Sequence, residues 1–155
     1  MPKPARYLLA LMVSAALAIP AFAQTATSTI GEKAVLDPQT LADRYVAVWN
    51  EKDAQRRREA VAALWVPNGQ HFVAGRAAQG YEELEKRIQG SHEKNVRIDG
   101  NRFRAAPGAR LLRNVVTFYW EMLPANGDTV LARGLEFLIV NEEGRILVDY
   151  QFFPA

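Results

Sequence analysis

The spacing of apolar residues predicts three amphipathic helices in the first half of the chain. The apolar stripe of the first helix consists of Leu41, Tyr45, Val48 and Trp49. These positions recur at helical intervals, and Asp37-Pro38 before them is typical of an N-cap followed by a first-turn proline. After a turn at 50–53, similar spacing predicts a second helix ending near Leu64 and a third over 81–94. The apolar face of the third helix consists of Tyr81, Leu84, Ile88 and His92.

Strand patterns replace the helical spacing in the second half. Pro67-Asn68-Gly69 predicts a turn before a short first strand. The predicted strands cover residues 70–73, 96–104, 110–123, 129–141 and 145–153. Because the loops between the last four are short, these strands must run antiparallel to their neighbours. This order predicts an α+β domain, with three helices packed on a curved antiparallel sheet of about four long strands plus a short one.

The first 23 residues have the pattern of a secretory signal peptide rather than that of a fold. Lys3 and Arg6 precede an apolar run over 7–19, and Ala21-Phe22-Ala23 provides a cleavage site before Gln24. The run is shorter than the roughly 20 residues of a membrane-spanning helix. We therefore expect export to the periplasm or the medium, and the alternative is an uncleaved N-terminal anchor. The predicted organisation is a signal peptide at 1–23, a flexible lead at 24–36 and one domain at 37–155.

Charge and cysteine content exclude several classes of function. The chain has 19 basic and 17 acidic residues, and loss of Lys3 and Arg6 with the signal peptide leaves 17 of each. The isoelectric point near 9.0 therefore does not indicate a nucleic-acid or membrane partner. The basic run at 56–58 is interpreted as a solvated helix face. With no cysteine, disulfides, thiolate metal sites and cysteine nucleophiles are excluded.

Three segments resemble the NTF2-like superfamily and its SnoaL-like proteins. Residues 45–53 resemble the first helix and turn of the family, and 64–68 resemble its Leu-Tyr-Ala-Asp-Asp segment. Residues 134–137 with 143–146 are similar to the Gly-x-Asp … Asp-Gly-Arg-Ile hairpin. The resemblance implies a cone with a pocket between sheet and helices, often in a homodimer formed through the outer sheet face. It also implies isomerisation, cyclisation, dehydration or hydrolysis without an organic cofactor.

Within that superfamily, ketosteroid isomerase offers the most specific comparison. The resemblance places its catalytic tyrosine at Tyr45, its protonated oxyanion-hole aspartate at Glu136 and its general base at or near Val73. Valine cannot accept a proton, so this departure argues against that isomerase reaction unless another group acts as the base.

Strand alternation sorts the candidate functional residues by face. The expected catalytic residues are Glu136, His71, Asp149 and Tyr45. The expected ligand-binding residues are Trp49, His92, Asn114, Phe118, Trp120, Gln151 and Phe153. Two carboxyl groups in an apolar cavity cannot both ionise cheaply, so one pKa should rise. The hypothesis is that His71 or Asp149 acts as a base while protonated Glu136 or Tyr45 polarises a carbonyl or alkoxide.

Structural roles remain open for several of these residues. Tyr45 and Trp49 lie on an apolar helix stripe, where such residues are more often core than catalytic, and an inward histidine such as His92 is more often a hydrogen-bonded core residue. Asp149 could partner Glu136 in a purely structural hydrogen bond. Two histidines without metal-ligand spacing predict no metal, although His71, Glu136 and Asp149 could meet in space. No phosphate loop or dinucleotide fingerprint is present, so no cofactor is expected.

Two functions are consistent with these observations. The first is an exported domain that binds a small, largely apolar molecule in its cone, with cofactor-free acid–base catalysis. The alternative is a non-catalytic ligand carrier or dimeric interaction module of the cell envelope. An apolar outer sheet face favours a homodimer, and it consists of Leu131, Leu135, Phe137 and Ile139.

Overall fold

The computed structural model describes residues 36–153, so the signal peptide at 1–23 and nearly all of the lead lie outside the described residues. The helices are α1 (Pro38–Asn50), α2 (Ala54–Leu64) and α3 (Gly80–Ser91), and α3 continues into a π-helical segment, His92–Ile98. The Asp37 and Asp53 side chains cap α1 and α2 by accepting backbone N–H bonds of 2.8 Å. In residues 36–153, no helix has the length and apolar character needed to span a membrane.

These helices pack on an open sheet of seven strands. The strands are β1 (Trp65–Val73), β2 (Arg76–Gln79), β3 (Asn101–Ala105), β4 (Arg110–Leu112), β5 (Val115–Pro124), β6 (Ala132–Val140) and β7 (Ile146–Phe152). Their order is β2-β1-β7-β6-β5-β3, with β4 paired to β5. The α+β class with three helices on a sheet is confirmed. The sheet is mixed rather than purely antiparallel, because β1 pairs with β7 in parallel.

The predicted turn at 67–69 is instead an irregular part of β1. The register with β7 shifts between Trp65 and Gln70, so the Pro-Asn-Gly segment is accommodated within the strand as a bulge. A tight turn at Ala74-Gly75, where both φ angles are positive, then leads into β2, which the sequence analysis missed. The Arg-Ala-Ala-Gln sequence of β2 has no β-branched or aromatic residue to signal a strand.

Two predicted long strands are interrupted. Residues 96–98 belong to the π-helical segment, so β3 begins only at Asn101. The predicted strand over 110–123 is a β4–β5 hairpin that turns at Arg113-Asn114. Asn114 is therefore exposed in a turn, and its expected position in the pocket is wrong.

The inner face of the sheet follows the predicted alternation on β6. Gly134, Glu136, Leu138 and Val140 are buried while the residues between them point outward. A register shift at Ile139/Val140 changes the start of β7, so Ile146 is buried and Leu147 is exposed, the reverse of what strict alternation from Asp149 would give. Asp149 and Gln151 retain their predicted inward side.

Arg57 does not belong to a solvated helix face. Its side chain is buried and its guanidinium Nη1 donates to the Glu51 carbonyl oxygen at 2.9 Å. The guanidinium thereby joins α2 to the end of α1. Within the basic run at 56–58, only Arg56 and Arg58 are exposed.

Candidate active site

A buried carboxylate, Asp149, connects three elements of the fold. Its Oδ2 accepts a 2.8 Å hydrogen bond from the Tyr45 hydroxyl on α1 and lies 2.7 Å from His71 Nδ1 on β1. Tyr45, His71 and Asp149 are each no more than 1% exposed. The parallel register places His71 directly opposite Asp149, so the same strand pairing that joins β1 to β7 creates this contact.

Glu136 is the second buried carboxyl group, on the neighbouring strand β6. It is 1% exposed, and burial raises its pKa well above the ordinary value, with the Asp149 carboxyl adding to the rise and the Trp120 indole opposing it. Glu136 Oε2 and Asp149 Oδ1 are both buried without an N–H or O–H donor. The raised pKa favours the protonated form of Glu136, whose O–H is a donor for the buried oxygen atoms of the pair.

Tyr45 and His71 both contact Oδ2 of Asp149. Burial, followed by the negative charge of Asp149, raises the pKa of Tyr45 well above its ordinary value, so its hydroxyl remains a hydrogen-bond donor. Because the Asp149 carboxylate can only accept, His71 donates through Nδ1. His71 Nε2 is buried without a partner in a ring that packs 5.8 Å from Trp49.

A cavity of about 640 Å³ opens beside this cluster, within the usual size range of small-molecule sites. Aromatic and aliphatic side chains cover much of its wall. Its lining residues are Tyr45, Val46, Trp49, Arg76, Lys86, Arg87, Gly90, Ser91, Lys94, Asn95, Phe103, Trp120, Met122, Ala132, Glu136, Gln151 and Phe153. Glu136 and Tyr45 reach this wall, whereas His71 and Asp149 are not among its lining residues and lie behind it.

The structure places the expected ligand-binding residues in four settings. Trp49, Trp120, Gln151 and Phe153 line the cavity. Phe118 is buried behind it, with its ring 5.3 Å from that of Tyr45. His92 Nδ1 lies 3.2 Å from the Trp49 carbonyl oxygen, outside the lining, so the structure places it in the scaffold. Asn114, as described above, is remote in its exposed turn.

Neither a protein-family model nor a curated protein matches the chain, but solved structures do. A protein of Agrobacterium tumefaciens str. C58, named as a candidate isomerase of the SnoaL-like family, is 28% identical, with a TM-score of 0.69 over 77% of this chain and 100% of that one. The chain is an NTF2-like domain that is similar to a SnoaL-like protein.

More distant structures share the fold alone. An NTF2-like protein from Exiguobacterium sp. 255-15 is 14% identical, with a TM-score of 0.58 over 74% of this chain and 98% of that one. An NTF2-like protein from Mesorhizobium loti is 16% identical, with a TM-score of 0.51 over 78% and 97%. Both are of unknown function.

In this NTF2-like domain, Val73 is buried at the end of β1 and lies opposite Gln151. It is not among the residues that line the cavity. The position at which the ketosteroid isomerase resemblance implies a general base therefore offers no proton acceptor to a ligand.

Sequence reasoning missed the cationic part of the site. Arg76 on β2, Lys86 and Arg87 on α3 and Lys94 in the π-helical segment all line the cavity. The one available signal was Arg87, which lies three residues after Leu84 and directly before Ile88, at the edge of the apolar face of α3. A cation at such an edge is ordinarily a solvated residue, so spacing alone could not assign it to a pocket.

The raised pKa of Glu136 predicts how the stability of this NTF2-like domain depends on pH. Above pH 4.5, the ordinary pKa of this group, the unfolded chain loses the proton that the folded domain keeps. The free energy of unfolding should therefore fall by about 1.4 kcal/mol per pH unit from this group, until pH passes the raised pKa. Glu136→Gln should lose that slope and gain stability relative to the wild type as pH rises.

Urea unfolding of both proteins at several pH values between 4 and 8 measures this difference. Glu143→Gln, in the exposed β6–β7 turn, is the matched control and should run parallel to the wild type. Parallel curves for Glu136→Gln as well would contradict a raised pKa at Glu136.

Proposed function

We propose that this domain binds a small, largely apolar molecule in its cavity and transfers protons on it without a cofactor. One observation carries the proposal: Glu136, a buried carboxyl group whose pKa is raised by burial and by Asp149, reaches the wall of a cavity that Trp49, Phe103 and Trp120 also line. A neutral carboxylic acid at this position is a hydrogen-bond donor and a proton source at neutral pH, as acid–base catalysis requires.

Glu136 acts on the ligand directly in this proposal. It donates its proton to the ligand, and the resulting carboxylate takes a proton from a second position, so that the product is an isomer and the enzyme is restored. Asp149 and His71 lie behind the wall, and they act through Glu136 by setting how tightly it holds its proton. Tyr45 donates to Asp149 and positions it.

Exchange of ligand hydrogens with deuterium tests this function even while the substrate is unidentified. Compounds that raise the melting temperature are selected from steroids, isoprenoids, polyketide-like aromatics and small acids. They are then incubated with the protein in D₂O and analysed by mass spectrometry. Wild type should incorporate deuterium at carbon, and Glu136→Gln should lower that rate by about 10²–10⁴, whereas Glu143→Gln should not. Bound compounds that remain unlabelled would favour the ligand-carrier alternative.

A homodimer formed through the outer sheet face belongs to the same proposal. Leu131 and Phe137 are 51% and 37% exposed on this face, and Tyr119 and Tyr150 are 41% and 38% exposed. Large exposed apolar areas are unusual on monomers. Light scattering after size exclusion should give twice the monomer mass for the wild type and the monomer mass for Phe137→Asp. A monomeric wild type would contradict the dimer.

Export is the remaining part of the proposal, supported by the n-region, apolar run and cleavage pattern of residues 1–23. Expression of the full chain in a bacterium with periplasmic fractionation should yield a protein that begins at Gln24. A full-length chain recovered in the membrane fraction would instead support the uncleaved anchor.

A further inference from the structure

The mouth of the cavity is strongly cationic although the chain as a whole is nearly balanced in charge. Four cationic side chains line the cavity, namely Arg76, Lys86, Arg87 and Lys94. Among the lining residues within 36–153, Glu136 is the only acidic one, and its raised pKa favours the neutral form. A ligand in the cavity therefore meets positive charge without compensating negative charge on the wall.

Arg87 is the most informative of the four because it is half-buried. Its guanidinium carbon lies 5.0 Å from the centre of the Trp49 ring, and its Nε is buried without a hydrogen-bond partner. Burial, followed by the neighbouring Arg76, lowers its pKa, and Tyr45, Glu136 and Asp149 oppose this with smaller effects. Within residues 36–153, no carboxylate forms an ion pair with Arg87.

The acidic residues near Arg87 on α3 are engaged elsewhere. Glu83 accepts the backbone N–H of Gln79 at 2.7 Å, and Glu85 pairs with Arg58 on α2 at 3.4 Å. Removing a guanidinium from water without a counter-ion is costly. The half-buried Arg87 guanidinium beside the cavity is therefore suited to pair with a negatively charged group of a ligand.

We propose that the ligand is an organic acid whose carboxylate binds Arg87, with Arg76, Lys86 and Lys94 attracting it to the mouth. This inference rests on the proposed function, because it names the class of molecule that the cavity holds. A planar guanidinium suits a carboxylate, which it can bind through two parallel N–H bonds. The apolar body of the acid packs against Trp49, Phe103 and Trp120, and the end away from the carboxylate meets Glu136.

The neutral state of Glu136 is what allows an acid to enter. An ionised Glu136 on the cavity wall would repel a second carboxylate, whereas the protonated group donates to the ligand. The two ends of the cavity then have different tasks, because Arg87 fixes the orientation of the ligand and Glu136 acts on the part that is presented to it.

Matched pairs of an acid and its neutral ester test the inference. We would titrate the mature protein with benzoate, 2-naphthoate and 1-adamantanecarboxylate, and with their methyl esters, by isothermal calorimetry. At least one acid should bind about tenfold or more tightly than its ester, and added salt should weaken the acid alone. Arg87→Met should reduce the acid to the affinity of its ester, while Arg97→Met, in the π-helical segment outside the cavity lining, should bind like the wild type.

The outcomes separate this inference from the proposed function. If acids and esters bind equally, the preference for an acid is overturned while the ligand site remains. If an acid preference persists in Arg87→Met, the role of Arg87 is overturned. If no acid and no ester binds, both proposals fail. Melting curves of the two arginine variants verify that any loss of affinity occurs in folded protein.

Discussion

Asp149→Ala is expected to lower the free energy of unfolding by about 3–5 kcal/mol, the usual cost of removing one partner from a buried polar pair. The substitution leaves the Tyr45 hydroxyl and His71 Nδ1 as buried donors without their acceptor. It also removes the group next to protonated Glu136. Because small domains are stable by only about 5–15 kcal/mol, this single change should remove a large share of the total.

Urea unfolding at neutral pH measures the loss. Asp149→Asn keeps one side-chain oxygen as an acceptor and should therefore cost less than alanine. Asp128→Ala is the control, since the Asp128 side chain is 82% exposed and its loss should change stability by no more than about 0.5 kcal/mol. If Asp149→Ala were as stable as Asp128→Ala, the buried hydrogen-bonded cluster would be refuted.

Gly134→Ala should disrupt the wall of the cavity by displacing Trp120. The two residues face each other across β5 and β6, and a Cβ at Gly134 would lie only 2.3–2.5 Å from atoms of the Trp120 indole. That indole is held edge-on against Phe103 and Phe153, at ring separations of 5.7 and 6.2 Å. We expect a loss of about 1–3 kcal/mol, the usual cost of overpacking, together with weakened ligand binding.

Gly90→Ala provides a control of opposite sign. Gly90 lies inside α3, and a Cβ there would meet nothing within 4 Å, so alanine should stabilise the domain by about 0.5–1 kcal/mol. Thermal melting followed by near-ultraviolet circular dichroism reports both stability and the environment of Trp120. A Gly134→Ala protein with an unchanged tryptophan signal and melting temperature would show that the indole does not depend on this glycine.

Local patterns predicted the parts of the fold that depend on local forces. The stripe from Leu41 to Trp49 defines α1 because helix spacing alone decides which side is buried. The inward side of β6 followed from the strict alternation of strands. The same alternation places Glu136 on the inward face of β6 and so predicts a buried carboxyl group.

Features that depend on distant contacts could not be predicted in this way. The parallel pairing of β1 with β7 brings together residues that are far apart in sequence, such as His71 and Asp149, and no local pattern encodes that partnership. β2 forms because β1 provides an edge for it, despite its weak strand composition. Asn114 was misplaced because the β4–β5 segment remains apolar on both sides of a two-residue turn, which hides the reversal of direction.

The position of β7 also determines when Glu136, Asp149 and His71 can come together during synthesis. In the sheet formed by residues 36–153, β7 alone joins the β1–β2 hairpin to β6 and the remaining strands, and it is the last of these strands to be made. Until β7 is added, His71 and Glu136 belong to separate pieces of sheet, and each can remain hydrated. Glu136 and Asp149 therefore cannot be buried together until the one strand that carries Asp149 is in place.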